Sequence, residues 1–94
     1  MQIKWLRTAL DNLDQQAEYI AKENPQAARI VVRRIVTAVT ALAKNPEGGR
    51  PGRIPDTREL VVKGTRYIVP YRIRGKHIEI LRIFHTSRKL PARW

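Results

Sequence analysis

The sequence contains no cysteine, which removes disulfide bridges, thiolate metal sites and thiol nucleophiles together. That composition fits a reducing compartment, and the expected location is cytoplasmic. Histidine occurs only at His77 and His85 and serine only at Ser87, too few for a metal constellation or a Ser-His-Asp triad with its elbow motif. Gly48-Gly49 is not followed by Gly-Lys-Ser/Thr, so no phosphate-cradling loop is encoded. Apolar runs are short, and none approaches the ~18 residues that cross a bilayer. The opening Met1-Gln2-Ile3-Lys4-Trp5 lacks the apolar stretch of a signal peptide. A protein without metal, cofactor or membrane partner is expected.

Negative charge is also scarce, with 8 acidic residues against 19 basic ones among 94. The imbalance is uneven. Residues 1–47 hold seven basic and five acidic side chains, whereas residues 48–94 hold twelve and three, so nearly all of the formal +11 lies in the second half. A field of this strength on so small a chain implies a polyanionic or acidic partner. A hydrophobic fraction of 43% nonetheless describes a folded chain, and residues 1–94 are expected to form one domain.

Residues 2–6 alternate polar and apolar, as a short strand does. Leu6, Leu10, Leu13, Ala17 and Ile20 recur at helical spacing and predict a helix over about 8–23, with Thr8 as its cap and Asp11 in its first turn. Asn24-Pro25 ends it and starts a second helix, Asn24 capping and Pro25 in the first helical position. That helix reaches about Lys44 on the apolar face Ala28, Val31, Val32, Ile35, Val39 and Leu42. Ile30 and Val36 widen the apolar surface beyond one stripe, which invites the first helix or a partner. Pro and Gly between 45 and 57 predict a loop. Strand-like runs follow at Arg58–Lys63, Arg66–Arg74 and His77–His85, joined by short turns as in an antiparallel meander. Pro70 cannot donate to a ladder, so its strand must be bulged there or unpaired on that edge. The order β-α-α-β-β-β predicts an α+β fold, an N-terminal strand and helical hairpin packed on a twisted, mainly antiparallel sheet. Which face the helices cover stays open, because Leu81 and Ile83 alternate with Ile80 and Phe84.

The chemistry available is arginine-rich surface interleaved with His85, Tyr67 and Tyr71. Such a surface grips phosphates through bidentate guanidinium contacts. With His or Tyr as acid or base it could cleave RNA without a metal. The tyrosines, four apart on one strand face, suit a core as well as a stacking platform. Arg82 lies between Leu81 and Ile83 and is the arginine expected to be partly covered, and His85 ends its strand.

The run Gly-Arg-Pro-Gly-Arg…Thr-Arg-Glu-Leu-Val-Val…Tyr-Ile-Val-Pro-Tyr-Arg-Ile…Ile-Glu-Ile-Leu-Arg-Ile-Phe-His over residues 49–85, with Trp5, Ala9, Leu13 and Ile20 before it, resembles the RelE/ParE superfamily of type II toxins. The resemblance implies a growth-inhibiting toxin in a hetero-oligomer with an acidic antitoxin, for which Val31, Ile35, Val36, Val39, Arg72 and Arg82 are the expected contacts. RelE-like members cut mRNA on the ribosome with a Lys-x-Lys pair, a strand arginine and a later arginine. Aligned on Tyr67 and Tyr71, those positions hold Glu59, Val61, Ile68 and Ser87, so every cation is missing. ParE-like members bind DNA gyrase without catalysis, and the Thr-Arg-Glu-Leu and Ile-Leu-Arg-Ile-x-His segments resemble that branch more closely. The expected target surface is Arg50, Arg53, Arg58, Arg66, Arg72, Arg82, His85, Arg88 and Lys89. An endoribonuclease, ribosome-dependent or free, would rest instead on Arg82, His85 and Arg88. A third reading is a non-toxic nucleic-acid-binding module, for which steep salt dependence is expected.

Overall fold

The computed structural model describes residues 1–87 and 94. Strand β1 (Gln2–Trp5) leads into helices α1 (Arg7–Ala21) and α2 (Pro25–Ala41). The strands β2 (Arg50–Pro51), β3 (Arg58–Val61), β4 (Tyr67–Arg74), β5 (His77–Ile80) and β6 (Phe84–His85) follow. The expected β-α-α-β-β-β order is present, with two short strands added. The sheet runs β1-β5-β4-β3-β2, and β6 joins β4 beyond the end of β5. Only the β1–β5 pair is parallel among these strands, since the helical hairpin carries the chain back across the sheet before β5 forms.

Local chemistry explains the helix ends. The Asn24 side chain accepts from the Ala27 N–H (3.0 Å), with Pro25 beginning α2 as expected. The residue capping α1 is Leu6, not Thr8, and no side chain caps it. Leu6 is still tied to the sheet through its N–H to Ile80 O (3.1 Å), so β1 runs into the helix without room for a Thr8 cap. Beyond Ala41, bonds from Leu42, Ala43 and Lys44 to the carbonyls three residues back tighten the last turn.

The helices cover the face that carries Tyr67, Val69 and Tyr71 of β4 with Ile78 and Ile80 of β5, and Ala9, Ile35, Val39 and Leu42 close the core above them. Both tyrosines are therefore core residues with a polar tip satisfied at the rim. Tyr67 donates to Gln16 Oε1 (3.0 Å) and Tyr71 to Pro46 O (2.7 Å).

The expected continuous strand His77–His85 is broken. Tyr71 pairs with Ile80 and Ile68 with Phe84, so Val69 and Pro70 face three residues, Leu81, Arg82 and Ile83. The extra residue is a β-bulge opposite Pro70. Pro70 O accepts from Leu81 N (2.9 Å), which places the side of Pro70 that lacks an N–H against the bulge. The bulge also explains why both faces of this segment read as apolar: consecutive residues Ile80 and Leu81 are both buried.

Candidate functional site

On the sheet face away from the helices, charge is organised by two acids. Glu59, only 3% exposed, receives Arg53 Nε (3.1 Å), the Arg53 N–H (3.2 Å) and Arg50 Nη2 (3.4 Å). Burial pushes its carboxyl up, but the two hydrogen bonds from Arg53 and the charges of Arg53 and Arg50 outweigh that and hold it below the ordinary range. Glu79 in turn accepts from Arg72 Nε (2.6 Å), with Arg74 at 3.9 Å, and its carboxyl is lowered chiefly by the Arg72 hydrogen bond. Arg58 donates to Gly49 O (2.9 Å) and Glu47 O (3.4 Å). Arg50, Arg53 and Arg58 of the expected target surface thus brace the 46–57 loop. That loop also needs a bare glycine, since a Cβ on Gly49 would sit 2.7 Å from the Tyr71 ring, whose hydroxyl accepts from Gly49 N (2.8 Å). Arg66 is exposed and has no ion pair among the described residues.

Of the nuclease candidates, the two described residues Arg82 and His85 do not come together. Arg82 donates to Leu81 O (2.7 Å), and its guanidinium lies 5.5 Å from the Trp94 ring centre, which itself meets Phe84 edge-on at 5.9 Å. His85 pairs with Tyr67 on the helix-covered face, ring centres 5.1 Å apart and planes at 89°. Ser87 N–H donates to His85 Nδ1 (3.2 Å), and Ser87 Oγ lies 2.7 Å from the same nitrogen. Arg88 and Lys89 lie outside the described residues. Among the described residues, no three His, Asp or Glu side chains come together as metal ligands, and no helix is long and apolar enough to cross a membrane.

A second surface lies where α2 meets the outer edge of the sheet. A cleft of about 680 Å³ has Ala38, Ala41, Leu42, Leu60, Val61 and Val62 as its apolar lining and Arg33, Arg34 and Lys63 as its charged residues. Every charge on it is positive. Among the described residues its strand edge is open. Val62 N bonds Tyr67 O (3.1 Å), so Val62 and Leu60 turn their main-chain groups toward β4 and Val61 turns its own outward. Strand β2 begins only at Arg50, and Gly48 N bonds Asn45 O (3.0 Å) instead of reaching Val61. The Val61 residue is 50% exposed.

This geometry corrects the expected partner contacts on the second helix. Ile35 and Val39 are fully buried and Val31 packs against the core, because that stripe faces the sheet; of the four, Val36 is the exposed one, at 40%. Arg72 and Arg82 are tied to Glu79 and Trp94 on the opposite face. Arg33, Arg34, Leu60 and Val61 line this cleft and were not singled out by the sequence. Leu60-Val61-Val62-Lys63 carried the signal of a strand, but whether its edge is covered depends on where β2 stops.

Comparison with known proteins places the chain in one family. Residues 3–90 match the family described as ParE toxin of type II toxin-antitoxin system, parDE. The toxin Y4kP of Sinorhizobium fredii is 51% identical over 95% of this chain and 92% of its own. The toxin RelE2 of Caulobacter vibrioides is 36% identical over 93% of this chain and 97% of its own. A solved chain of a chromosomal ParDE system from P. aeruginosa superposes with a TM-score of 0.82 at 34% identity, covering 93% of this chain and 97% of that one.

Proposed function

Because the chain belongs to the ParE toxin family of type II toxin–antitoxin systems, we propose that it arrests bacterial growth by binding DNA gyrase, without cleaving RNA itself. One observation carries the choice. The strand position where an RNA-cutting relative would hold a cation is Glu59, a buried carboxylate already engaged by Arg50 and Arg53. A site that must stabilise extra negative charge on phosphorus gains nothing from an anion there. Arg82 and His85 on opposite faces support the same reading.

The family implies an antitoxin, and the cleft at the open edge of β3 suits its seat. An extended acidic segment would bond the outward Val61 main chain, set apolar side chains on Leu42, Leu60 and Val62, and meet Arg33, Arg34 and Lys63 with its carboxylates.

The test is to induce the chain in a bacterium and follow growth, transcript integrity and gyrase cleavage complexes in one culture. Arrest with intact transcripts and trapped DNA breaks is the expected result. Arrest with cut mRNA would replace gyrase by the ribosome and mRNA as target, and growth without arrest would remove the toxin reading.

A further inference from the structure

The outer side of the helical hairpin carries a second groove, which borders the β3 cleft at Arg33 and Thr37. It spans about 830 Å³ between α1 and α2. Its floor is small and apolar, with Ala17 and Ala21 from one helix and Ala28, Val32 and Val36 from the other. Its rims are opposite in sign. Asp14 and Glu18 stand on the α1 side, Arg29 and Arg33 on the α2 side, and none of the four has an ion pair among the described residues.

We propose that this groove is the interface between two copies of the chain, which associate through it as an antiparallel four-helix bundle. Antiparallel helices count away from their shared turn at the same rise per residue. Glu18 and Arg29 therefore lie at one level along the hairpin, and Asp14 and Arg33 one turn further out. A two-fold axis along the groove lays α1 of one copy over α2 of the other. Glu18 then faces the second copy's Arg29, and Asp14 its Arg33, each pair occurring twice. An axis across the groove would set acid against acid, so the charges select one symmetry. The alanines let the helices approach closely, and all helix neighbours are antiparallel, as in a bundle.

Two further points favour a second copy over an acidic segment. The Asp14–Glu18 rim repels such a segment, while the β3 cleft offers it cations alone. The rim charges also do not serve their own helices. Glu18 sits in the last turn of α1, and Arg29 follows the first turn of α2, each against the preference set by the helix dipole.

Sedimentation velocity on the purified full chain over a concentration series tests the proposal, with circular dichroism to establish folding of each variant. Neither Glu18 nor Arg29 lines the β3 cleft, so the outcome is independent of antitoxin binding and of the gyrase reading. Glu18→Arg and Arg29→Glu both run with the helix dipoles, so the hairpin is expected to stay intact. The wild-type chain is expected to dimerise. Arg29→Glu places like charges opposite each other twice and should raise the dissociation constant about tenfold or more. Glu18→Arg with Arg29→Glu should restore the dimer. A wild-type chain monomeric at every concentration, or a dimer indifferent to Arg29→Glu, overturns the proposal, as does a double variant no better than the single one.

Discussion

Glu59 shows how one side chain can decide what a basic surface is free to do. Its carboxylate satisfies the Arg53 N–H and two guanidinium groups, so two cations that would otherwise face solvent hold a loop in place. Replacing it by Gln keeps the shape but removes the charge, and should cost about 1–3 kcal/mol at neutral pH. The sign of the pH dependence follows from the direction of the shift. A carboxyl held below its ordinary value of 4.5 contributes stability above that pH, and the contribution is lost as pH falls through the lower folded value. Urea unfolding of wild type and Glu59→Gln should therefore differ at pH 7, begin to converge below about pH 4.5, and coincide only below the lower folded value. The Glu59 side chain was visible in the sequence as a departure from the RelE-like pattern, but its partners were not. Arg50 and Arg53 precede it by nine and six residues across a loop whose path no periodicity reveals.

At the level of elements, the open edge of β3 makes the sharpest demand. Because Val61 points its N–H outward, Val61→Pro deletes a donor that β4 never uses. The expected outcome is a folded variant whose affinity for its cognate antitoxin falls by about tenfold, matching the loss of about 1.5 kcal/mol for one hydrogen bond. Calorimetric titration with that antitoxin checks it, and unchanged affinity would move the seat elsewhere. Helices and long strands were legible because their periodicity is local: Asn24-Pro25 marked the hairpin turn, and Pro70 called for either a bulge or an unpaired edge. The two-residue pairing of Arg50–Pro51 was not legible, since so short a strand has no period to read. The place of the bulge, Leu81–Ile83, was hidden in a strand-like run interrupted only by Arg82, and it is what puts His85 rather than Phe84 on the helix-covered face with Tyr67.

For the whole molecule, the division of labour is between one face that hides its charge and two clefts that display it. Trp94 brings the end of the chain onto the sheet face away from the helices, against Arg82 and Phe84. Trp94→Ala should lower stability by about 1–2 kcal/mol through the lost aromatic pair and cation–π contact, read as a lower midpoint in thermal unfolding. A variant as stable as wild type would mean that the contact contributes nothing. The sequence by itself determined the absence of thiol chemistry, the order of the long elements, the cap at Asn24 and the excess of positive charge that calls for an acidic or polyanionic partner. These follow from composition and from interactions between near neighbours. Only the tertiary structure decided which arginines are neutralised, which stripe of α2 is core, and which strand edge stays open. Each of those depends on contacts between residues far apart in the chain, such as Tyr67 with Gln16 or Ile83 with Asn12, and such contacts form only once the hairpin has settled on the sheet.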